Sequence, residues 1–109
     1  MRWYDGLRLS GEIAFVRKRG RHVGLATLTA FAVALSKGPS LVCVSVSKRV
    51  GGAVTRNLVR RRVRGALDTL DRPARAVRVL FVLKPAAATV SYERLAADVA
   101  AALARLATA

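Results

Sequence analysis

Residues 41–64 read LVCVSVSKRVGGAVTRNLVRRRVR, and this stretch decides the fold of the chain. Its first part, 41–47, is a run of β-branched residues that is typical of a buried strand. The Gly51-Gly52 pair interrupts the extended pattern, and the residues after it favour a helix over 53–70. The stretch therefore predicts a strand that feeds directly into a long helix.

The predicted helix has one apolar face and one polar face, because successive residues are about 100° apart around a helix axis. The apolar face is expected to hold Val59, Val63, Ala66 and Leu70. The opposite face is expected to hold Asn57, Arg60, Arg61, Arg64 and Asp68. Arg56 and Arg62 fall on the two flanks. Such a helix can pack on a sheet while it presents a row of guanidinium groups to a partner.

The charge of the chain indicates a polyanionic partner. Twenty Lys and Arg residues face six Asp and Glu, which gives a formal net charge of +14. The window 48–64 holds seven basic residues and no acidic one. Like charges at i,i+4, such as Arg56 and Arg60, destabilise an isolated helix, so ordinary helix stability does not explain the cluster. Nucleic acid is the first candidate partner, and an anionic membrane surface is the second.

The N-terminal half contributes further elements on either side of this core. Residues 1–9 are predicted to be an irregular basic arm, and a helix capped by Ser10 is predicted to run to about Arg19. Residues 23–35 have extended character, and the turn signal at 36–40 suggests that they form an antiparallel hairpin with the strand at 41–47.

The C-terminal half adds one strand and one helix. Asp71-Arg72-Pro73 ends the basic helix, and 77–83 (VRVLFVL) is predicted to be a strand. A last helix, capped by Ser91, is predicted to run to about Leu106. Its apolar face would hold Leu95, Val99, Leu103 and Leu106. These elements predict an α+β fold, a two-layer α/β sandwich in a single domain over 1–109, with the order α-β-β-β-α-β-α and a mostly antiparallel central sheet.

Several classes of function find no support in the residues. His22 follows a basic run without an evident partner, the six carboxylates show no spacing typical of a metal site, and Cys43 cannot form an internal disulfide. No signal peptide is expected, and the apolar stretch at 23–35 is too short to span a bilayer. We therefore expect a cytoplasmic protein without catalytic residues or a metal site of its own.

The basic window resembles a known family, the bacterial ribonuclease P protein subunits. Its strand end 45–51, SVSKRVG, is followed by Ala53-Val54, Arg56-Asn57, Arg60-Arg61 and Arg64 at the spacing of the family signature. A weaker similarity covers most of the chain, including Leu9, Gly20, the VLFVL strand with Lys84-Pro85-Ala86, and Tyr92-Glu93.

The resemblance implies a role in an RNA-based enzyme. In that family the holoenzyme is an endoribonuclease that removes the 5′ leader of precursor tRNA by hydrolysis, and the RNA subunit performs the cut with bound Mg²⁺. The expected partners are the catalytic RNA and a precursor tRNA with a single-stranded 5′ leader, without a membrane and without an obligate protein partner. Mg²⁺ would be held mainly by the RNA, and no cofactor tightly by the protein.

The resemblance also assigns roles to residues. The expected RNA contacts are Lys48, Arg49, Arg56, Asn57, Arg60, Arg61, Arg62 and Arg64. The expected leader-cleft residues are Ile13, Arg17 and Phe31, where Phe31 would stack on a base or, in the alternative interpretation, serve as an ordinary core aromatic. The sequence departs from the family pattern at Ile13 and Arg17, where aromatics are usual, and at Gly52, where Asn is common.

Other interpretations of the same charge stay open at this point. A small ribosomal or other structural RNA-binding protein would share the composition without a role in processing. A DNA-binding module would need two helices joined by a short turn, whereas strands flank the basic helix here. A membrane-surface protein would need a helix with a basic face and a bulky aromatic face, and no such helix is evident.

Overall fold

The computed structural model describes residues 2–107, in which a five-stranded sheet is packed between helices. Met1, Thr108 and Ala109, which the predicted 1–109 domain includes, lie outside the described residues. In chain order the elements are β1 (Tyr4–Gly6), α1 (Ser10–Arg19), β2 (Arg21–Gly24), β3 (Leu28–Ala34), β4 (Ser40–Ser45), α2 (Ala53–Asp68), β5 (Val77–Leu83), a 3₁₀ turn (Pro85–Ala88) and α3 (Tyr92–Ala107). The α+β class and the predicted order from α1 onward are confirmed.

The strands lie in the order β1-β4-β5-β3-β2. The antiparallel pairs β2–β3 and β3–β5 match four and seven residues, and the parallel pairs β1–β4 and β4–β5 match three and five. Antiparallel pairing therefore predominates, as predicted, but the sheet is mixed. The parallel β4–β5 pair follows from α2, which carries the chain back across the sheet as a crossover helix.

The predicted hairpin between 23–35 and 41–47 is wrong. Residues 23–35 divide into parts of β2 and β3, and β5 lies between β3 and β4. The central place suits β5 because its residues are buried on both faces: Val79 and Phe81 in the main core, and Leu80 on the other side. A strand that is apolar on both faces is stable only in the middle of a covered sheet.

The arm at 1–9 is also more ordered than predicted. Tyr4–Gly6 forms the edge strand β1, and Leu7 N–H continues the contact by donating to the carbonyl of Val42 at 2.9 Å. Leu9 rather than Ser10 is the N-cap of α1, and no side chain caps that helix. At α3 the predicted cap is present, since the Arg94 N–H donates to Ser91 Oγ at 3.2 Å.

The two faces of the sheet are covered unequally. The helices α2 and α3 pack on one face and form the main core with it. The predicted apolar faces are confirmed, with burial of Val59, Val63, Ala66, Leu95, Val99, Leu103 and Leu106, and with Leu70 partly buried. On the other face α1 covers only part of the sheet, through a small cluster of Leu7, Val16 and Leu80.

Gly20 lets α1 end directly on β3. A Cβ at this position would lie 2.9 Å from the carbonyl oxygen of Ala32 and would overlap the carbonyl of Val16. No side chain fits in that space, so the absence of a Cβ sets how closely the last turn of α1 approaches the sheet.

A buried polar contact ties α3 to the β2–β3 connection. The backbone N–H and the hydroxyl of Thr27 donate to Asp98 Oδ2 at 3.2 and 2.7 Å, and both residues are buried. Arg94 Nε lies 3.6 Å from the other carboxylate oxygen, so the buried charge is compensated. The contact fixes α3 over the edge of the sheet.

Replacing Thr27 with Val is expected to lower the free energy of unfolding by about 1.5–3 kcal/mol, because a hydroxyl that donates to a buried carboxylate is lost at nearly constant volume. Urea unfolding followed by circular dichroism measures this change. Thr89→Val is the matched control, since the Thr89 hydroxyl bonds an exposed carbonyl, and it should change stability by less than about 0.5 kcal/mol. Equal effects of the two variants would show that the buried contact is not stabilising.

Candidate nucleic-acid interface

The solvent face of α2 carries the predicted row of polar side chains. Asn57, Arg61 and Arg64 are exposed, and Arg60 is half-buried with its Nη1 donating to Asn57 Oδ1 at 2.9 Å. A shallow depression of about 510 Å³ runs along them, lined by Arg2, Asn57, Arg60, Arg61, Arg64, Gly65 and Asp68. We call the face of α2 that borders this depression the α2 ridge. Arg56 and Arg62 are half-buried on its flanks, as predicted.

The α2 arginines of the ridge, Arg60, Arg61 and Arg64, are not used in ion pairs within residues 2–107. Within residues 2–107 the ion pairs join Arg2 to Asp68, Arg78 to Glu12, and Arg94 to Asp98. None of them takes an arginine of α2. The positive charge of the ridge is therefore available to an external anion, which is the arrangement that binds a phosphate backbone.

Asp68, the acid at the end of the ridge, is neutralised by the N-terminal arm. Arg2 Nε and Nη2 donate to its two carboxylate oxygens at 3.0 and 3.2 Å. Burial raises the pKa of the Tyr4 hydroxyl, which stays protonated and donates to Asp68 Oδ1 at 3.3 Å. Sequence reasoning missed this contact because only the pairing of β1 with β4 brings Arg2 to the helix end.

Lys48 and Arg49 lie in the turn between β4 and α2, and both are exposed. The Arg49 N–H donates to Ser47 Oγ at 3.3 Å, which holds the turn. Gly51 has a positive φ of 156°, and a Cβ there would meet the Thr55 side chain at 2.9 Å, so close packing against α2 requires this glycine. Gly52 has open space around it and makes no side-chain contact.

Two apolar side chains outside the residues that line the ridge are also exposed on α2. Val54 is 85% exposed and Leu58 is 37% exposed, one helical turn apart. The solvent-facing side of α2 is therefore not uniformly polar.

The face of the sheet that α1 partly covers brings the three predicted cleft residues together. Ile13 and Phe31 pack against the same small apolar cluster, and the Arg17 guanidinium carbon lies 5.9 Å from the centroid of the Phe31 ring. Phe31 is half-buried, with one flank in the cluster and its ring beside Arg17. His22, which sequence reasoning left without a partner, lies 5.9 Å from the same ring.

The strand register explains why Phe31 and His22 lie side by side. Cys43, Leu80, Phe31 and His22 are direct neighbours across β4, β5, β3 and β2, so they form one row on the α1 side of the sheet. The next row consists of Ser45, Val82, Thr29 and Gly24, which are half-buried or exposed. These side chains are small and are not covered by α1, so the sheet stays open beside that helix. We call the surface formed by the two rows, together with Ile13 and Arg17 of α1, the α1 cleft.

Arg78 is a further basic residue on this side that sequence reasoning missed. It lies 3.8 Å from Glu12 and 5.2 Å from the centroid of the Phe15 ring, measured from its guanidinium carbon in the second case. The strand VRVLFVL is apolar except for Arg78, and the two-residue alternation of a strand, which places Arg78 on the same face as Leu80, was the available signal.

Two arginines of the ridge lining also face the β1 edge of the sheet. A second depression of about 360 Å³ there is lined by Arg2, Tyr4, Gly6, Leu7, Arg8, Val42, Cys43, Val44 and Arg64. Burial raises the pKa of the Cys43 thiol, and the nearby charge of Arg64 partly opposes this. Arg64 therefore lines both the depression along α2 and this second depression.

A comparison with known families decides the identity of this arrangement. The profile of the family described as Ribonuclease P matches residues 1–107. The chain belongs to the ribonuclease P protein family.

Relatives within this family support the assignment. The ribonuclease P protein component of Arthrobacter sp. (strain FB24) is 38% identical over 100 residues, which cover 89% of this chain and 73% of the relative. That of Thermus brockianus is 41% identical over 102 residues, which cover 87% of this chain and 57% of the relative.

Solved structures of the family share the fold. The RNase P protein of Staphylococcus aureus superposes with a TM-score of 0.82 at 16% identity, covering 96% of this chain and 95% of that one. The protein from Thermotoga maritima gives a TM-score of 0.79 at 15% identity, covering 96% and 97%. The mixed sheet with β5 at its centre is therefore an architecture found in ribonuclease P proteins.

Within residues 2–107, no group of three or more His, Cys, Asp or Glu side chains lies close enough to hold a metal ion. No helix in this part of the chain is long and apolar enough to cross a membrane.

Replacing Arg61 with Ala is expected to weaken binding to structured RNA and to reduce the slope of log K against log salt by about one, because one phosphate contact is lost. Filter binding across a salt series measures the slope. Arg72→Ala, which removes an exposed arginine from the loop before β5, is the matched control and should leave the slope unchanged. An unchanged slope for the Arg61 variant would show that this side chain does not contact phosphate.

Proposed function

We propose that this chain is the protein subunit of a ribonuclease P holoenzyme, in which it binds the catalytic RNA and the 5′ leader of precursor tRNA. The holoenzyme would remove the leader by Mg²⁺-dependent hydrolysis and leave the mature 5′ end of the tRNA. The observation that carries the proposal is the α2 ridge, whose helix arginines form no ion pair within the described residues of a chain of this family.

The α2 ridge is the proposed contact with the RNA subunit. Arginine presents a planar fork of donors that suits phosphate oxygens, and the row of Arg60, Arg61 and Arg64 repeats this fork along the helix. Arg56, Arg62, Lys48 and Arg49 would extend the contact at the flanks and at the start of the helix. Asn57, held by Arg60, offers amide donors to a base edge or to a metal-bound water.

The α1 cleft is the proposed contact with the single-stranded leader. Phe31 offers a ring on which a base can stack without being read for sequence. Ile13 forms the apolar wall beside it, and Arg17 adds a charged guanidinium plane at the place where the family pattern has an aromatic. Stacking by one aromatic and one cation would give binding that tolerates many leader sequences.

The proposed division of labour leaves the chemistry to the RNA. Mg²⁺ would be bound by the RNA subunit and would supply the activated water and charge stabilisation of the hydrolysis. The protein would contribute position and charge, with no catalytic residue and no tightly bound cofactor of its own. It would act in the cytoplasm as part of a ribonucleoprotein.

Reconstitution tests this function. Catalytic RNA from the same cell, at a Mg²⁺ concentration too low for the RNA alone, is expected to cleave precursor tRNA once the full chain is added. The variant with Arg60, Arg61 and Arg64 all changed to Ala is the control and should stimulate cleavage much less, because three phosphate contacts are lost. A chain that binds the RNA but stimulates no cleavage at any salt concentration would be a structural RNA-binding protein instead.

Phe31→Ala is expected to weaken binding of precursor tRNA by about 1–3 kcal/mol while binding of mature tRNA is kept, because only the precursor has a leader base to stack. Affinities of the holoenzyme for the two substrates, measured by fluorescence titration, test this. Phe31→Tyr keeps the aromatic ring and should bind both substrates as the wild type does. Equal losses for precursor and mature tRNA would identify Phe31 as a packing residue.

A further inference from the structure

A second basic surface lies at the edge of the sheet far from the α2 ridge. Residues 17–22 read RKRGRH, and all of these side chains except the glycine are exposed. They belong to the last turn of α1 and the start of β2, which is the edge strand opposite β1. The α2 ridge is extended by Arg2 beside β1, so the two positive surfaces flank the sheet from opposite sides.

The cations of this surface are not neutralised by neighbouring acids. Within residues 2–107 the ion pairs involve neither Arg17, Lys18 nor Arg19, and Glu12 of the same helix pairs with Arg78 instead. Arg21 Nη2 donates to the carbonyl of Arg105 at 3.2 Å, which anchors that side chain to α3. The cations available to an external anion are therefore Arg17, Lys18 and Arg19 of α1.

Helix stability accounts for only part of this cluster. Cations in the last turn of a helix interact favourably with its dipole, typically by about 0.3–1 kcal/mol each. That effect applies to the end of α1, but it does not extend to Arg21, which continues the basic run in β2. A run of like charges that crosses from a helix into an edge strand is better explained by an anion bound along it.

The cluster adjoins the stacking residue of the α1 cleft. Arg17 and His22 each lie 5.9 Å from the Phe31 ring, one from the helix and one from the neighbouring strand. The open row of Ser45, Val82, Thr29 and Gly24 also runs from β4 to β2 and ends at the same edge. A strand lying in the cleft would therefore leave the protein over β2, beside Lys18 and Arg19.

We propose that residues 17–22 form a second phosphate-binding site for single-stranded RNA, which holds leader nucleotides farther from the cleavage site than those in the α1 cleft. This inference rests on the function proposed above. A single strand is the favoured ligand because the surface continues from an aromatic that can stack only on an unpaired base. The backbone beyond that base would then pass along the exposed cations, which read charge and not sequence.

The test uses the reconstituted holoenzyme and precursor tRNAs with leaders of increasing length. The double variant Lys18→Gln/Arg19→Gln removes two charges and keeps long side chains of good helix propensity. With long leaders it is expected to reduce the slope of log K against log salt by about 1.4, since each single-strand phosphate contact contributes about 0.7. If the variant and the wild type bind equally at 1 M salt, this difference in slope makes the variant bind about 14-fold more weakly than the wild type at 0.15 M salt. With the shortest leaders, and with mature tRNA, affinity should be unchanged.

Arg72→Gln/Arg75→Gln is the matched control, because it removes the same charge from the exposed loop before β5. It should bind every leader length as the wild type does, and thermal unfolding of both double variants should match the wild type. Two outcomes would overturn the proposal: a loss that is the same for all leader lengths, which would place the patch on the catalytic RNA, or no loss at any length. A wild-type chain that stimulates no cleavage would instead refute the proposed function, and this is seen before any variant is compared.

Discussion

The packing of α2 against the sheet is the constraint on which the rest of the structure depends. Val59, Val63 and Leu67 are almost completely buried, and full burial of such side chains stabilises a fold by about 1.5–3 kcal/mol each. A rotation of the helix about its axis would expose them and drive arginines into the apolar core, where an unpaired charge is far more costly. The core therefore fixes the direction of the guanidinium groups and offsets their mutual repulsion. The helix that carries the ridge is preformed, so it loses little backbone freedom on meeting a polyanion.

The same sheet supports the second surface on its other side. Gly20 allows α1 to lie close to β3, and this brings Arg17 over Phe31 while leaving the small-residue row of the sheet open. At the β1 edge, Arg64 belongs to the lining of both depressions, so the positive surface of the ridge continues around that edge of the sheet. The helices α2 and α3 form the main core on one face of the sheet, whereas α1 covers only part of the other face. Only that second face therefore keeps an open surface beside its helix.

Much of this arrangement could be predicted from local pattern. The bounds of α1, the apolar faces of α2 and α3, and the bounds of β5 follow from periodicity and turn chemistry, because each is determined by residues close in sequence. The insertion of β5 between β3 and β4 could not be predicted in this way, since strand order depends on which faces become buried in the whole fold. For the same reason β1, a three-residue edge strand without an alternating pattern, was missed.

In the candidate site, too, some features follow from local sequence pattern and others only from tertiary pairing. The row of arginines on α2 is a property of helical spacing, and the sequence contains it fully. The contact of Arg2 with Asp68 joins residues 66 positions apart and exists only because β1 pairs with β4. The contact of His22 with Phe31 likewise depends on the register of β2 against β3. Local pattern thus located the charged helix, and tertiary pairing determined which side chains surround it.

An electron cryo-microscopy structure of the full chain bound to its catalytic RNA tests the central claim most directly. We expect RNA phosphates to lie within about 3 Å of the guanidinium nitrogens of Arg60, Arg61 and Arg64. The apolar stripe of α2 should remain packed on the sheet in the complex. A complex in which the outward face of α2 is open to solvent, while the RNA contacts a different face of the protein, would contradict it.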